Sequence, residues 1–553
     1  MQIFPILYRK GGAVMQKTTN IQQEIQLLNK QFLHSADFVA KEITLLPEEQ
    51  AILCYYSSLV NKSEVEKNLY LLKLERKRAA RLAANSNQKN SNNQNENQSK
   101  SNQQKAGQSQ SGLTQQNNQS SQTDQATQQN NQSSQTGQAT QQSMSQADPI
   151  TITITSEPYD PQKVVEHVCN GETLVILVEN QEMVRLESPD FVHRTPDEPD
   201  NEQVLRGSHE GLVEDFDTNV SLIRKRIKNN KLVVKKHVIG HKTKTKAYYF
   251  YVDDLVDKEV LKTVEERLQA IQIEEFYSVG QLSDYLDDHV WSPFPQLLNT
   301  ERPDRVVANI LEGKIAIMTD ISPTALIGPV TFFTFYQSPD DFNARVLIGT
   351  FYRLLRVLSL VMAIFFPSFY IATVSFHYEV IPLELANKVK MDINQIPYRP
   401  FIEAMIMQIT IELIREASVR LPKSIGQTIG IVGGLVIGQS IVNAGLVSNV
   451  MVIVVAFTAI ASFVVPSVEL NTSIRVIGIP FMILASLFGF FGIMIGTFVL
   501  VIHLLNLSSL KQPYFSPIIP FQPNLIYQIF IREPYYRASK QATSFSPQKD
   551  DNA

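Results

Sequence analysis

The sequence predicts a chain in two halves: a cytoplasmic α/β N-terminal region of two related subdomains, followed by an all-α C-terminal domain that crosses a membrane several times. Three observations support this fold class. Two segments with the pattern of a strand followed by a helix resemble each other, a tract rich in Gln and Asn lies between them, and charged residues almost vanish in long stretches after Arg356. The overall hydrophobic content of 44% and the net charge of -4 average over these opposite compositions.

The two similar segments mark the N-terminal subdomains. AILCYYSSLVNKSEVEK begins at Ala51, and AYYFYVDDLVDKEVLK begins at Ala247. Each starts with an apolar run rich in Tyr and aliphatic residues, passes through a polar turn and continues as an amphipathic helix. The first subdomain is therefore predicted at residues 1–83 and the second at residues 151–345. Chance similarity is the alternative interpretation.

Residues 84–150 form the predicted linker, which interrupts or follows the first subdomain. They include a tandem repeat, TQQNNQSSQTDQA from Thr114 and TQQNNQSSQTGQA from Thr127. With almost no aromatic or branched aliphatic side chains, such a segment buries too little surface to offset its backbone entropy. We expect a disordered linker that arose by repeat slippage, with self-association as the alternative interpretation.

The C-terminal membrane domain is predicted at residues 346–510, followed by a cytoplasmic tail at residues 511–553. About 20 apolar residues cross a hydrocarbon core of about 30 Å, and four stretches satisfy this length. The spans are predicted at residues 354–378, 426–447, 449–467 and 478–506. We expect a kink at Pro367, a turn near Ser448 and a bend at Pro480. Glu469 and Arg475 are predicted to bracket a short loop.

The distribution of basic residues predicts that both ends of the membrane domain face the cytoplasm. Arg345 and Arg353 precede the first span, Arg356 lies at its start, and Lys511 follows the last. Four spans satisfy this arrangement, but they leave residues 379–423 outside although that segment carries several basic residues. Within it, residues 400–421 alternate apolar with charged residues and are predicted as an amphipathic helix at the membrane interface.

Composition and motifs argue against several classes of protein. A nucleic-acid-binding protein concentrates Lys and Arg on one face, whereas this chain is close to neutral. The two cysteines, Cys54 and Cys169, lack CxxC spacing, so neither a disulfide framework nor a zinc site is predicted. Residues 151–345 contain no HExxH, phosphate loop or nucleophile elbow in their sequence, and we predict no enzyme activity, cofactor or metal.

One segment carries a family resemblance. The sequence RGSHEGLVEDFDTNVSLIRKRI at residues 206–227 resembles the RGP-basic-EGF-x-acidic-x4-N-x2-LIRRR signature of bacterial spore germination receptor A subunits, the GerA-type family. Further blocks that resemble this family occur at residues 292–317, 335–342 and 414–439. The sequence departs from the signature at Ser208 and His209, and in carrying the Gln/Asn-rich insertion. The signature residues are Arg206, Gly207, Glu210, Gly211, Glu214, Asn219, Arg224 and Arg226.

The resemblance implies a function and partners. GerA-type A subunits belong to nutrient receptors of the dormant spore's inner membrane, which also contain B and C subunits. The A subunits are thought to assemble into an oligomeric ion channel, whereas the B subunit is similar to amino-acid transporters and is implied to bind the nutrient. The resemblance therefore implies a multi-pass membrane protein whose partners are lipids, B and C subunits and further copies of itself.

Spaced glycines in two predicted spans indicate helix packing. Because lipid provides no hydrophobic drive between helices, small residues that allow close backbone approach supply packing energy. Both sets are therefore predicted to lie at tight helix contacts. They are the four-residue series Gly426, Gly430, Gly434 and Gly438, and the GxxxG pair Gly492 and Gly496.

Polar residues in and near the spans are candidates for an ion pathway. Gln439 and Asn443 lie four residues apart, and amides inside a membrane either bond across helices or face a water-filled pore. In an oligomer, one glutamate per subunit from the amphipathic helix would form an acidic ring at a pore mouth. The alternative is an interfacial helix in which Arg415 pairs with a neighbouring glutamate. The candidates are Gln439, Ser440, Asn443, Glu403, Glu412 and Glu416.

These features favour a channel-forming subunit that releases monovalent cations when signals arrive from partner subunits. The rival hypothesis is a transporter or scaffold subunit in which the amides and carboxylates satisfy one another and another chain conducts. An enzyme ranks last.

Overall fold

The structure is a computed structural model that describes residues 21–46, 49–81, 155–178, 180–186, 207–422 and 438–534, together with residues 199, 202, 434 and 436. Within these ranges the N-terminal part combines helices with antiparallel sheets, and the part after residue 345 is mainly helical. The predicted linker at residues 84–150 and residues 426–433 of the second predicted span lie outside the described residues.

The first α/β subdomain contains a five-stranded sheet. Its elements are α1 (Ile21–Gln31), β1 (Phe38–Leu46), β2 (Glu49–Tyr56), α2 (62–81), β3 (Thr155–Pro158), α3 (Pro161–Cys169), β4 (Thr173–Leu177) and β5 (Glu182–Leu186). The strands lie in the order β1-β2-β4-β5-β3, and neighbouring strands are antiparallel. Cys54 and Cys169 are free thiols buried in the core of this subdomain.

The second α/β subdomain contains another five-stranded antiparallel sheet. Its elements are α4 (Phe216–Arg226), β6 (Leu232–Ile239), β7 (Thr245–Val252), α5 (Lys258–Ala270), α6 (Val279–Leu286), β8 (Leu298–Thr300), α7 (Pro303–Leu311), β9 (Ile315–Thr319) and β10 (Ala325–Gly328). The strand order is β6-β7-β9-β10-β8, the same as in the first sheet when strands are counted from each start. The two similar sequence segments form β2 with α2 and β7 with α5, which are equivalent positions.

The boundary between the subdomains differs from the prediction. Ile52 of β2 pairs with Ile176 of β4, so residues 155–186 complete the first sheet rather than begin the second subdomain. The predicted boundary at residue 151 is therefore wrong, and the linker interrupts the first subdomain between α2 and β3. A sheet tolerates a long insertion at such a connection because the entropy cost of closing a loop grows only slowly with its length.

The C-terminal part is a helical domain. Its helices are α8 (Pro339–Asn343), α9 (Val346–Phe376), α10 (Leu383–Asn394), α11 (Pro400–Arg420), α12 (438–443), α13 (Asn449–Phe463), α14 (Val468–Phe488), α15 (Phe490–Asn506) and α16 (Pro523–Phe530). Among the described residues, α9 and α14 are long and apolar enough to cross a membrane, and α13 and α15 are shorter apolar helices.

The predicted span at residues 478–506 is two helices in the structure. The chain turns at Gly489, whose φ of +61° is a left-handed conformation that glycine adopts without steric cost. Pro480 lies within α14, as do Glu469 and Arg475, so the predicted loop between these two charged residues is wrong. The helix continues through them because it already begins at Val468, where the side chain of Ser467 accepts a hydrogen bond from a backbone N–H of the first turn.

Two buried clusters show the direction of each helix. The first cluster joins the middle of α9 to the end of α13 and the start of α14, through Ala363, Ala461 and Leu470. The second joins the end of α9 to the starts of α11 and α13 and the end of α14, through Ile371, Ala404, Met451 and Ala485. Helices α9 and α14 therefore run in one direction, and α11, α13 and α15 run in the other.

The helical domain has a proximal end, which contacts the second α/β subdomain, and a distal end near Phe376 and Gly489. Beyond α15 the chain returns to that subdomain, where Ser509 Oγ donates a hydrogen bond of 2.6 Å to the carbonyl of Gln296. The backbone N–H of Phe332, just before α9, donates to the carbonyl of Tyr514. The start of α9 and the end of α15 therefore lie at the same, proximal end.

Candidate functional site

A network of charged side chains connects α11 to α14 inside the helical domain. Glu412 Oε1 lies 3.3 Å from Arg415 Nη1 on its own helix and 2.9 Å from Arg475 Nε on α14. Glu412 is therefore shared between two guanidinium groups. The Arg415 guanidinium also lies over the ring of Phe463 at 4.7 Å, which is a cation–π contact with α13. The predicted local pairing of Arg415 is present, but the bond to Arg475 links helices that are far apart in sequence.

A small cavity of about 20 Å³ lies beside this network, between α9, α11, α13 and α14. Its lining includes Arg415, Arg475 and Ser462, and it reaches Ala363 and Pro367 of α9. Because proline has no N–H, Pro367 leaves the Ala363 carbonyl without its usual partner in the helix. A cavity of this size holds about one water molecule. The interior of the helical domain therefore combines two cations, one anion and a backbone acceptor.

The glutamates predicted as one acidic set occupy different environments. Glu403 is fully buried at the distal end, where its Oε2 accepts a 2.9 Å hydrogen bond from the backbone N–H of Ser448 at the start of α13. Glu416 is exposed and pairs with Arg420 one turn later at 2.6 Å. Glu412 is bound in the arginine network. The structure thus does not bring these three carboxylates together.

The amides predicted as pathway residues lie on the surface of α12. Gln439, Ser440 and Asn443 are exposed in the isolated chain. On the same helical segment, a Cβ atom placed on Gly434 or Gly438 would meet no atom within 4 Å. None of the described residues therefore packs on this face of α12. Gly426 and Gly430 of the predicted glycine stripe lie outside the described residues.

The glycines of α15 have a different environment. A Cβ at Gly492 would overlap the carbonyl oxygen of Leu484, and a Cβ at Gly496 would lie 2.8 Å from the ring of Phe481. These two glycines allow α15 to approach α14 closely after the turn at Gly489. The contact is within one chain, unlike the open face of α12.

Sequence reasoning missed a buried charge cluster at the start of α9. Asp341 is fully buried and lies 2.6 Å from Arg356 Nη1 and 3.5 Å from Arg353 Nε. Arg353 Nη1 also donates a 2.6 Å hydrogen bond to the carbonyl of Gln528 in α16. From the sequence alone, these arginines indicate only the orientation of the membrane domain. In the structure they fasten the C-terminal tail and α8 to the first turns of α9.

The signature residue Arg224 joins the two α/β subdomains. It is buried in α4 and forms a bidentate ion pair with Asp37, which precedes β1 of the first subdomain. Its guanidinium lies 3.7 Å from the centre of the Tyr56 ring. Burial alone would raise the pKa of Asp37, but the charge and hydrogen bonds of Arg224, with hydrogen bonds from Ser35 and Ser58, hold that pKa below its ordinary value.

Other signature residues fix the loop before α4. The Asn219 side chain bonds both the N–H and the carbonyl of Val213, at 2.9 and 2.5 Å. Arg226 forms an ion pair with Glu210 and donates to Ser208 Oγ at 3.1 Å, so the residue that departs from the family signature takes part in the same network. Of the remaining signature residues, Gly207 has a φ of +141° and Gly211 is buried. Glu214 lines a cavity of about 400 Å³ beside the junction of the two subdomains. Arg206 lies outside the described residues.

A further charged residue lies where the second α/β subdomain meets the helical domain. Asp287, at the end of α6, is largely buried, and burial together with Asp284, Glu469 and Asp288 raises its pKa to about 7. Its neighbour Asp288 accepts a 2.8 Å hydrogen bond from the N–H of Lys511. Among the described residues, no group of three His, Cys, Asp or Glu side chains could hold a metal ion.

Sequence comparison finds relatives of this chain among Bacillus proteins, including spore germination proteins. The chain is 39% identical over 398 residues to a membrane protein of Bacillus subtilis (strain 168), YfkQ, a match that covers 72% of this chain and 78% of YfkQ. It is 40% identical to spore germination protein A1 of the same organism, over 64% of this chain and 74% of that protein. It is 39% identical to spore germination protein GerIA of Bacillus cereus, over 66% of this chain and 54% of that protein.

Structure comparison matches the N-terminal domain of the A subunit of the Bacillus megaterium spore germinant receptor GerK3. The sequences are 21% identical, the match covers 56% of this chain and 95% of that domain, and the TM-score is 0.34. The model of the Bacillus/Clostridium GerA spore germination protein family matches residues 26–544. This match spans nearly the whole chain, and the protein therefore belongs to the GerA spore germination protein family.

Proposed function

We propose that this protein is the A subunit of a spore germinant receptor, that its helical domain crosses the spore inner membrane, and that several copies assemble around a cation pathway. Family membership supports a role in spore germination. The observation that carries the channel proposal is the open face of α12. Three exposed polar residues on α12, with the open positions at Gly434 and Gly438, require a partner in a lipid environment.

The helix directions support six membrane crossings rather than the four expected from hydropathy. Helix α11 runs from the distal to the proximal end and α13 starts again at the distal end, so the span predicted at residues 426–447 makes the return pass. With α9, α13, α14 and α15, this path gives six alternating passes. Helix α11 is polar for a spanning helix, but its central Glu412 is shared by Arg415 and Arg475 within the bundle, and this pairing lowers the cost of these charges in the membrane.

In the assembled oligomer, α12 lines the pathway. Gln439, Ser440 and Asn443 supply polar groups without a fixed charge, so cations pass along them without binding tightly. Glu416, which is exposed near the proximal end of α11, provides the acidic ring. Glu403 and Glu412 support the helices instead, because Glu403 is buried against Ser448 and Glu412 is shared by two arginines inside the bundle, whereas Glu416 pairs with Arg420 only at the exposed surface.

The test is ion flux through the purified protein reconstituted in liposomes, together with potassium release from germinating spores that carry variants. Gln439→Leu and Asn443→Leu are expected to reduce both readouts. The matched control is Thr497→Val, which changes a partly exposed polar residue of α15 whose hydroxyl donates a hydrogen bond to the Ile493 carbonyl of its own helix. If wild-type oligomers conduct no ions, or if the α12 variants release potassium normally, the pathway assignment fails and a scaffold role beside conducting B or C subunits replaces it.

A further inference from the structure

The chain has a single tryptophan, and its side chain is fully exposed. Trp291 has an exposed fraction of 100%, and its neighbour Val290 has one of 54%. A single exposed apolar residue is ordinary on a protein surface, but indole is a large side chain that is usually well buried. The position of Trp291 in the fold therefore decides whether its exposure has a function.

Trp291 lies in the loop between α6 and β8, and this loop is fastened to the ends of two membrane helices. Ser292 Oγ lies 3.0 Å from His503 Nε2, in the last turns of α15. Ser473 Oγ, in the second turn of α14, donates a hydrogen bond to the carbonyl of Pro293. The residues directly after Trp291 are therefore held at the level where α14 begins and α15 ends.

The helix surfaces at this level are apolar and exposed. Ile502, adjacent to His503, has an exposed fraction of 57%, and Val499 and Phe498 have fractions of 61% and 63%. Exposed aliphatic and aromatic residues on a membrane helix face lipid, so the hydrocarbon region extends to about the last turn of α15. Trp291 is then placed near the boundary between hydrocarbon and water, on the side of the α/β subdomains.

We propose that Trp291 anchors the second α/β subdomain in the lipid interface of the same bilayer that α14 and α15 cross. Indole prefers this region because it combines a large apolar body with one N–H donor, and tryptophan is enriched there in membrane proteins. The two acidic residues of the loop do not oppose the contact, since Asp287 is partly buried and Asp288 is bound by Arg267, Ser508 and the backbone of Lys511. The loop thus fixes the height of the subdomain over the membrane.

The proposal rests on the proposed membrane insertion of the helical domain and has a separate readout, because the single tryptophan provides a fluorescence signal without background. The full-length protein is placed in phosphatidylcholine nanodiscs with a tryptophan-free belt protein, in which the acyl chains carry bromine near the headgroup or near the methyl end. Blue-shifted emission, quenched more strongly by the headgroup-proximal bromine, is expected. A matched control carries Trp291→Ala with Tyr70→Trp, which moves the tryptophan to an exposed position on α2 of the first subdomain, and no lipid quenching is expected there.

The other outcomes contradict the anchor in distinguishable ways. Emission typical of hydrated indole from protein that co-elutes with the discs overturns the anchor and leaves membrane insertion intact. Blue-shifted emission without lipid quenching also overturns it, because a protein surface such as a second copy then covers Trp291. Protein that does not enter the discs at all overturns the proposed membrane function together with the anchor.

Discussion

Neutralising Glu412 is expected to destabilise the helical domain more than neutralising any exposed glutamate of the same helix. Glu412 is the carboxylate shared by Arg415 and Arg475, whose side chains are only 15% and 16% exposed. The isosteric change Glu412→Gln removes the negative charge and leaves two guanidinium groups facing each other beside the cavity. No atom is lost from the packing, so the measured effect is electrostatic.

The structure sets the size of this effect. Removing one partner of a fully buried ion pair costs about 3–5 kcal/mol. The Glu412 side chain is 39% exposed, so solvent screening reduces the expected loss to roughly 2 kcal/mol. For a domain of this size the melting temperature falls by roughly 2–4 °C for each kcal/mol, which predicts a decrease of about 4–8 °C.

The assay is thermal unfolding of the detergent-solubilised protein, followed by circular dichroism. Glu416→Gln is the matched control, because Glu416 lies one turn later on α11, is 65% exposed and pairs with Arg420 on the surface. Its expected effect is below about 0.5 kcal/mol. Adding Arg475→Met to Glu412→Gln is expected to recover part of the loss by removing the repulsion. Equal melting temperatures for the two glutamate variants would refute the shared-carboxylate interpretation.

Three further outcomes are expected from other parts of the fold. Asp37→Asn leaves the buried guanidinium of Arg224 without a counter-charge and should lower the free energy of unfolding in urea by about 3–5 kcal/mol, whereas an unchanged midpoint would mean that the subdomain junction contributes little. Gly492→Ala should separate α14 from α15 and lower the melting temperature. Gly434→Leu should instead leave the melting temperature of the monomer unchanged and reduce the fraction of oligomer seen after cross-linking. The pKa of Asp287 is raised to about 7, so the folded protein loses stability as pH rises from about 4 to 7 and this carboxyl ionises. Asp287→Asn should therefore stabilise the protein by roughly 1–2 kcal/mol at pH 8 and have no such effect at pH 4, as measured by urea unfolding.

Local patterning predicted the elements that form from contiguous sequence. The strand and helix from Ala51 and those from Ala247 lie where the similarity places them, and α13 starts directly after Ser448. The boundary at residue 151 could not be predicted, because the pairing of β2 with β4 is made across the linker. Hydrophobic periodicity indicates which residues of a strand are buried, but it does not indicate which other strand that strand pairs with.

The break at Gly489 shows a second limit. Between Arg475 and Lys511 the composition is uniformly apolar, and Pro480 is the more obvious place for a bend. The proline lies inside α14, and the chain reverses at a glycine whose left-handed backbone lets two apolar helices pack against each other. Apolar helices joined by one glycine have the same hydropathy profile as a single tilted helix.

Ion pairs between residues that are far apart in the sequence also could not be predicted. Arg224 and Asp37 are 187 residues apart, and each alone is an ordinary polar residue. Arg353 and Arg356 agree with the rule that basic residues flank cytoplasmic membrane ends, yet both are buried around Asp341. Their burial removes them as evidence of orientation, because residues that pair inside the protein do not interact with lipid headgroups.

The proposed six-helix path removes part of the conflict over the basic residues of residues 379–423: the end of α11 moves to the proximal side, whereas Lys388, Lys390 and Arg399, which precede α11, stay on the distal side. In a four-span topology the whole segment lies on the far side of the membrane, against the positive-inside rule. In the structure α11 returns towards the α/β subdomains, so Arg415 is paired inside the bundle and Arg420 lies near the proximal end. The two topologies therefore place the end of α11 on opposite sides.

Labelling of Val419 distinguishes these topologies. Val419 is 79% exposed, and the native Cys54 and Cys169 are buried, so a Val419→Cys variant presents one accessible thiol. In sealed vesicles of known orientation, a membrane-impermeant maleimide is expected to react with it from the side of the α/β subdomains. Reaction from the opposite side would reject six passes and restore the four-span path, with α11 lying at the outer interface. A cysteine in place of Tyr70, which is 63% exposed on α2 of the first subdomain, is the control, since both topologies place that subdomain on the same side.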